Sequence, residues 1–161
     1  MILVLTGTHD QPFDRLVEWA DRLAASGKLG PDVLVQRGAS RTVPRNCRSV
    51  RHIGYSELKR LVRKSEFVIS HAGAGTVIDV LSERKPLILV PRLREFGEHE
   101  DDHQVQLAEA LFRAGRALKA TTFGELEEAV TMVSGLDPSP RRSKIPGILR
   151  KFLRRTFKLR E

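Results

Sequence analysis

The feature that most constrains this chain is its alternation of short apolar runs with amphipathic segments. Ile2 to Thr6, Val33-Leu34-Val35, Phe67 to Ser70 and Leu87 to Val90 have strand length and are apolar on both faces. Between them, apolar residues recur at three- and four-residue spacing, as in Phe13, Leu16, Val17, Ala20, Leu23 and Ala24. Strands with two apolar faces need cover on both sides, and intervening helices supply it. The expected fold is α/β, a Rossmann-like doubly wound parallel sheet over residues 1–135. A linker over 136–143 and a basic amphipathic helix over 144–161 are expected to follow.

Local signals set the expected boundaries. A helix over Pro12 to Ala25 has Pro12 in its first turn and Gly27 past its end. Gln36 to Arg48 reads as a basic loop, and Val50 to Ile53 as a weak third strand. Ser56 is the expected N-cap of a helix carrying Leu58, Leu61 and Val62. Gln104 to Phe112 reads as a helix and Ala117 to Ala120 as an edge strand. Thr122, with Glu125 three residues on, predicts a capping box opening a helix that runs to Val133.

The 161 residues suit one domain with a sizeable core. The single Cys47 excludes an internal disulfide and suits a reducing compartment. Met1 to Leu5 lacks the charged region and apolar length of a signal peptide. Charge is unevenly placed. Residues 1–140 hold 19 Lys+Arg against 19 Asp+Glu, and residues 141–161 hold 9 against 1, a difference of +8. The surplus therefore sits in the tail, and no nucleic-acid partner is expected for the domain.

Chemistry concentrates in Ser70-His71-Ala72-Gly73-Ala74-Gly75-Thr76, which joins an apolar run to a helix-patterned segment carrying Asp79. Glycines at 73 and 75 let backbone amides approach an anion, and a helix beginning near Gly75 would aim its positive end there. The segment reads as a diphosphate cradle, with Asp79 placed to accept from ribose hydroxyls, or as a glycine-rich turn that binds nothing. In doubly wound sheets ligands sit beyond the carboxyl ends of the strands, where Gly7-Thr8-His9 is also expected. A dinucleotide fingerprint is disfavoured, because Ile78 stands in place of its third glycine and the loop follows the fourth strand rather than the first.

Gly73 to Asp79, Lys85-Pro86-Leu87-Ile88-Leu89-Val90-Pro91 and Asp102-His103-Gln104 together resemble the donor-binding half of GT-B glycosyltransferases of the family 28 type. The opening Gly7-Thr8-His9-Asp10-Gln11-Pro12-Phe13-Asp14-Arg15-Leu16 resembles one branch of them, the small subunits of two-part bacterial exopolysaccharide glycosyltransferases. A eukaryotic relative of that branch is the cytosolic subunit of the dolichol-linked GlcNAc transferase. The resemblance covers about residues 1–135 and includes one Rossmann-like half without an acceptor domain.

By this resemblance, Gly7 and Thr8 border the donor, and the backbone of Gly73, Ala74, Gly75, Thr76 and Val77 holds its diphosphate, with the Thr76 hydroxyl added. Asp79 matches the ribose contact, and His103 and Gln104 match residues that meet the donor sugar. Asp102 reads as the cap of their helix. The stretch containing Ile53 and Tyr55 lies where relatives place the uracil pocket. His9 and His71 are candidates for the catalytic base, though a lone histidine on such an edge is also a common structural residue. The acidic and histidine run from Glu98 to His103 reads as solvated charge, and no metal is expected.

The implied activity is inverting transfer from a UDP-sugar, with no further cofactor. The implied acceptor is a polyprenyl-diphosphate-linked saccharide in exopolysaccharide or capsule synthesis. The implied partner is a membrane-anchored, acceptor-binding subunit at the cytoplasmic face of the plasma membrane. The alternative is an accessory subunit that stabilises such a partner without chemistry. Ile145, Ile148, Leu149, Phe152, Leu153 and Phe157 form the apolar face of the expected tail helix, against Arg150, Lys151, Arg154, Arg155 and Lys158. Such a helix suits an anionic membrane surface, a partner's groove, or packing back on the body.

Overall fold

The computed structural model describes residues 1–135 and Gly147. Apart from Gly147, the expected linker and tail helix therefore lie outside the described residues. Six strands, β1 Ile2–Leu5, β2 Val33–Gln36, β3 Arg48–Val50, β4 Val68–Ser70, β5 Leu87–Leu89 and β6 Leu118–Lys119, form one sheet. Their order is β3-β2-β1-β4-β5-β6, and every neighbouring pair is parallel. Five helices connect them: α1 Asp14–Ala25, α2 Tyr55–Lys64, α3 Ala74–Ser82, α4 His103–Arg113 and α5 Phe123–Met132. This is the expected Rossmann-like sheet, and strand order reverses between β1 and β4.

Side chains alternate across the sheet as the pleat requires. Ile2, Val4, Val33, Val35, Ile69 and Ile88 face α1 and α5, packing on Phe13, Leu16, Ala20, Leu126 and Ala129. Leu3, Leu5, Leu34, Val68, Leu87 and Leu89 face α2, α3 and α4, packing on Val62, Val77, Val80, Leu107 and Leu111. Each strand thus feeds two apolar layers, which is why it reads as an unbroken apolar run.

Several boundaries differ from expectation. The third strand is Arg48–Val50, not Val50 to Ile53, because main-chain pairing with Leu34, Val35 and Gln36 fixes it. Its side chains are half-buried or exposed, so no apolar pattern marks it. Gln36 closes β2 and is buried, although the sequence places it in a loop. Gly54, not Ser56, caps α2. Helix α3 starts at Ala74, with Gly73 as its N-cap. The Thr122–Glu125 capping box is present. Cys47 sits against Asp21, and burial, then the nearby carboxylate, push its thiol up to about 12, so it stays an unreactive thiol.

Candidate functional site

The loops after β1 and β4 meet where strand order reverses. Gly7 has φ +87, and a Cβ there would lie 2.4 Å from His71 Nε2. A Cβ on Gly73 would lie 2.3 Å from the same atom. The missing side chains at these two positions therefore make room for the His71 ring, not for an anion as the sequence suggests at Gly73. Gly75 is different: a Cβ there would meet nothing within 4 Å, so its bare backbone faces open space.

Helix α3 opens beside this socket. The amides of Ala74, Gly75 and Thr76 are its first three and have no partner in the helix. Val77 does not join them. Its amide donates to Gly73 O at 3.0 Å, and its side chain is fully buried in the apolar layer. The unpartnered amides thus run from Ala74 to Thr76, two residues fewer than the expected Gly73 to Val77 cradle. A cavity of about 90 Å³ beside it is lined by Leu5, Gly7, Thr8, Gln36, Ile53, Leu58, His71 and Thr76. Sites for whole ligands hold roughly 300–1,000 Å³, so this cavity suits one moiety, with the rest of a ligand lying along the open edge.

His71 is buried and neutral. Its desolvation, then the positive charge of Arg92, lower its pKa to about 4, against a raising hydrogen bond involving Leu5. Ser70 Oγ donates to His71 O at 2.9 Å and therefore meets His71 Nδ1, 3.3 Å away, as an acceptor. That contact places the ring proton on Nδ1 and leaves Nε2 as an acceptor between Gly7 and Gly73. His9 is set the other way. Gln11 N–H donates to His9 Nδ1 at 3.3 Å, so the neutral ring carries its proton on Nε2 and is a donor. A general base needs both a free lone pair and a pKa near the working pH. Neither ring meets both requirements in this geometry.

Other expected residues are spread along the same edge. Asp79 Oδ1 accepts from Tyr55 OH at 3.2 Å, joining α3 to the start of α2 just past Ile53. Gln104 is buried, and its Oε1 accepts from Arg92 N at 3.1 Å, leaving only the amide nitrogen for a ligand. His103 Nδ1 lies 2.5 Å from Asp101 Oδ2, and the His103 amide donates to Asp101 Oδ1 at 3.0 Å. Asp102 holds the expected N-cap position of α4 but makes no side-chain cap bond, and the carboxylate that ties down the helix start is that of Asp101. Desolvation works against the Asp101 carboxylate. The bonds and charges of His103 and His99 outweigh it and hold the group below its usual range. A larger cavity, about 420 Å³, lies by Leu93, Arg94, Glu95 and Asp102, outside the crevice between β1 and β4.

Sequence reading missed the residues that fix these loops. Gln36 Oε1 accepts from Gly7 N at 3.1 Å, and its Nε2 donates to Gly7 O at 2.9 Å and Arg51 O at 3.1 Å. Arg92 is fully buried; its guanidinium donates to Thr6 O, Gln11 O and Glu98 O at 2.8–2.9 Å. Burial lowers its pKa to about 10, partly offset by Glu98, so it remains a cation. Arg15 grips the Glu98 carboxylate with two bonds, at 2.8 and 2.7 Å. His99, one residue on, places its ring 5.0 Å from His9. The available signals were a polar residue ending an apolar strand, for Gln36, and a cation directly after Pro91, for Arg92. Among the described residues, no group of three or more His, Cys, Asp or Glu is placed to hold a metal ion.

A profile of the glycosyltransferase family 28 C-terminal domain matches residues 1–142. The chain belongs to this family. It is 38% identical over 86 residues to the UDP-N-acetylglucosamine transferase subunit ALG13 of Cryptococcus neoformans, a match covering 52% of this chain and 40% of that protein. It is 32% identical over 93 residues to a UDP-N-acetylglucosamine–N-acetylmuramyl-(pentapeptide) pyrophosphoryl-undecaprenol N-acetylglucosamine transferase of Elusimicrobium minutum. That match covers 57% of this chain and 23% of the relative. These curated relatives are therefore matched over less than half of their length. The fold is similar to an NMR structure of ALG13 (TM-score 0.61, 18% identity, 98% of this chain and 96% of that one). It is also similar to the glycosyltransferase SnogD of Streptomyces nogalater (TM-score 0.58, 19% identity, 95% and 37%). No helix among the described residues is long and apolar enough to cross a membrane.

Proposed function

We propose that this chain binds the UDP-sugar donor for a two-part glycosyltransferase whose second subunit brings the acceptor. The observation that carries this reading is the convergence at the strand-order reversal of three unpartnered helix amides, the Gly7–His71–Gly73 socket and Asp79. The amides of Ala74, Gly75 and Thr76 hold the diphosphate and take up the charge that develops on it as the sugar leaves. Asp79 exchanges its Tyr55 hydrogen bond for the ribose diol, and Ile53 with Leu58 forms the apolar wall against the base. Neutral His71 accepts from a donor-side hydroxyl, while His9 donates. The sugar lies toward His103 and the free amide nitrogen of Gln104.

Because neither His9 nor His71 is set up as a base, the acceptor-side base belongs to the partner subunit. The acceptor is a polyprenyl-diphosphate-linked saccharide, as in exopolysaccharide or capsule synthesis. Transfer is inverting at the cytoplasmic face of the plasma membrane. Names of the relatives support the donor class, since both kinds are called UDP-N-acetylglucosamine or N-acetylglucosamine transferases.

Calorimetric titration of the full chain with UDP and UDP-N-acetylglucosamine tests the reading. The chain should bind UDP, and Asp79→Ala should weaken binding about 10-fold, the loss of one charge-assisted hydrogen bond. Absence of UDP binding, alone and with the partner present, would leave only the accessory role.

A further inference from the structure

We infer that the segment between Gln36 and Ile53 is a docking face for an anionic lipid bilayer. Residues 33–56 contain no Asp or Glu, yet carry Arg37, Arg41, Arg45, Arg48 and Arg51. Both ends of the segment are walls of the crevice, because Gln36 and Ile53 line its cavity. Whatever this face rests on therefore lies beside the opening through which a ligand enters.

The arginines are left available by a specific arrangement. Asp14, Glu18 and Asp21 on α1, and Asp32 ahead of β2, are the acids bonded to this segment, and Asp32 pairs with one of its arginines, Arg48, at 2.6 Å. Asp14 and Asp21 hold main-chain amides, Asp14 those of Arg41 and Thr42, both at 2.7 Å, and Asp21 those of Arg45 and Asn46, at 2.8 and 2.6 Å, together with the Asn46 side-chain amide at 3.2 Å. Glu18, between them on the helix, accepts from the Thr42 hydroxyl. These bonds fix the backbone while leaving the guanidinium groups of Arg41, Arg45 and Arg51 exposed, with no ion pair among the described residues. Elsewhere Arg63 pairs with Glu83, Arg113 with Glu109 and Lys28 with Glu127, while Arg84 and Arg94 are exposed without an ion pair among the described residues but each stands next to a carboxylate in the chain, Glu83 and Glu95.

A lipid surface fits this face better than nucleic acid or an acidic protein, because apolar side chains are interleaved with the charges. Val43 is 59% exposed between Arg41 and Arg45, and Val50 is 38% exposed beside Arg51. Arginines at the headgroups with valines in the interface repeat the division of labour of interfacial helices on a fixed loop. The inference rests on the proposed function only for what the bilayer would bring to the crevice, a lipid-linked acceptor. Lipid binding itself is read without any nucleotide.

Co-sedimentation of the full chain with phosphatidylcholine vesicles containing phosphatidylglycerol tests it. The tail is kept in every variant, so its own contribution cancels. Removing one arginine near an anionic surface costs about 5-fold in partition, so Arg41→Gln, Arg45→Gln and Arg51→Gln together should lower it about 100-fold. Val43→Ser should lower it further without changing its salt dependence. A charge-matched control, Arg60→Gln, Arg63→Gln and Arg113→Gln, should change partition much less. Equal losses in the two triple variants would reduce the effect to net charge and overturn the inference. It is overturned equally if the first triple variant sediments unchanged and loses only affinity for duplex DNA or an acidic protein. Circular dichroism of each variant separates these outcomes from misfolding.

Discussion

The loop that follows β1 is gripped from two sides by different chemistry. On the β2 side a neutral amide, Gln36, satisfies both backbone groups of Gly7. On the β5 side a cation, Arg92, donates to carbonyls before and after the loop, Thr6 and Gln11, and to Glu98 in the loop after β5. The amide grip sits at the cavity wall, where water can replace it. The cation grip is sealed inside, and its charge acts on His71. Position and electrostatics of the crevice are thus divided between two residues that a strand-and-helix reading treats as ordinary polar positions.

The largest expected effect separates the two grips. Arg92→Met should cost about 4 kcal/mol in urea denaturation, because the buried carbonyls of Thr6 and Glu98 and the half-buried carbonyl of Gln11 lose their donor. Gln36→Leu should cost about 2 kcal/mol, since solvent at the cavity can satisfy Gly7 in its place. Equal losses would mean that burial does not distinguish the two sides.

A second test isolates the electrostatic half of the comparison. His71 titrates near 6.5 when unfolded and about 4 when folded, so the unfolded chain binds the extra proton between those values. Stability contributed by the neutral ring is complete above about pH 6.5 and falls as pH drops toward 4. The full loss is about 3 kcal/mol. Glutamates and the other histidines also change charge in this range, so the part of the slope that belongs to this ring is the difference between the unsubstituted protein and His71→Asn. His71→Asn should flatten the slope. Arg92→Lys should keep it, and Arg92→Met should make it shallower. An unchanged slope in His71→Asn would sink the buried-neutral assignment.

How much of this was legible in the sequence depends on where each residue finds its partners. Strands β1, β2, β4 and β5 announce themselves because both faces are buried, while β3 does not because its side chains face solvent. The Thr122 cap was readable because both partners lie within one turn. The glycine-rich loop was found, but Gly73 does a different job there, because its close neighbour is the His71 ring and no spacing rule reports that. Gln36, Arg92 and the tilted ring pair of His9 and His99 were invisible for one reason: their partners lie far away in the chain. A polar residue whose hydrogen bonds close only on folding looks the same in a sequence as one bonded to water.

The smallest effect sharpens the contrast between the two glycines of α3's opening. At Gly75 a methyl group has free space, and alanine favours a helix by about 1 kcal/mol, so Gly75→Ala should leave the fold intact or raise its stability by up to that amount. Gly73→Ala drives the same methyl group into His71 and should destabilise the protein. If the amides around Gly75 hold the diphosphate, the stabilised Gly75→Ala protein should still lose UDP affinity, because the methyl group stands where the phosphate oxygens approach. Gained stability with lost binding, measured on one variant by urea melts and calorimetry, would mark Gly75 as kept open for a ligand and Gly73 as kept open for a side chain. Unchanged UDP affinity in Gly75→Ala would move the anion off this helix end.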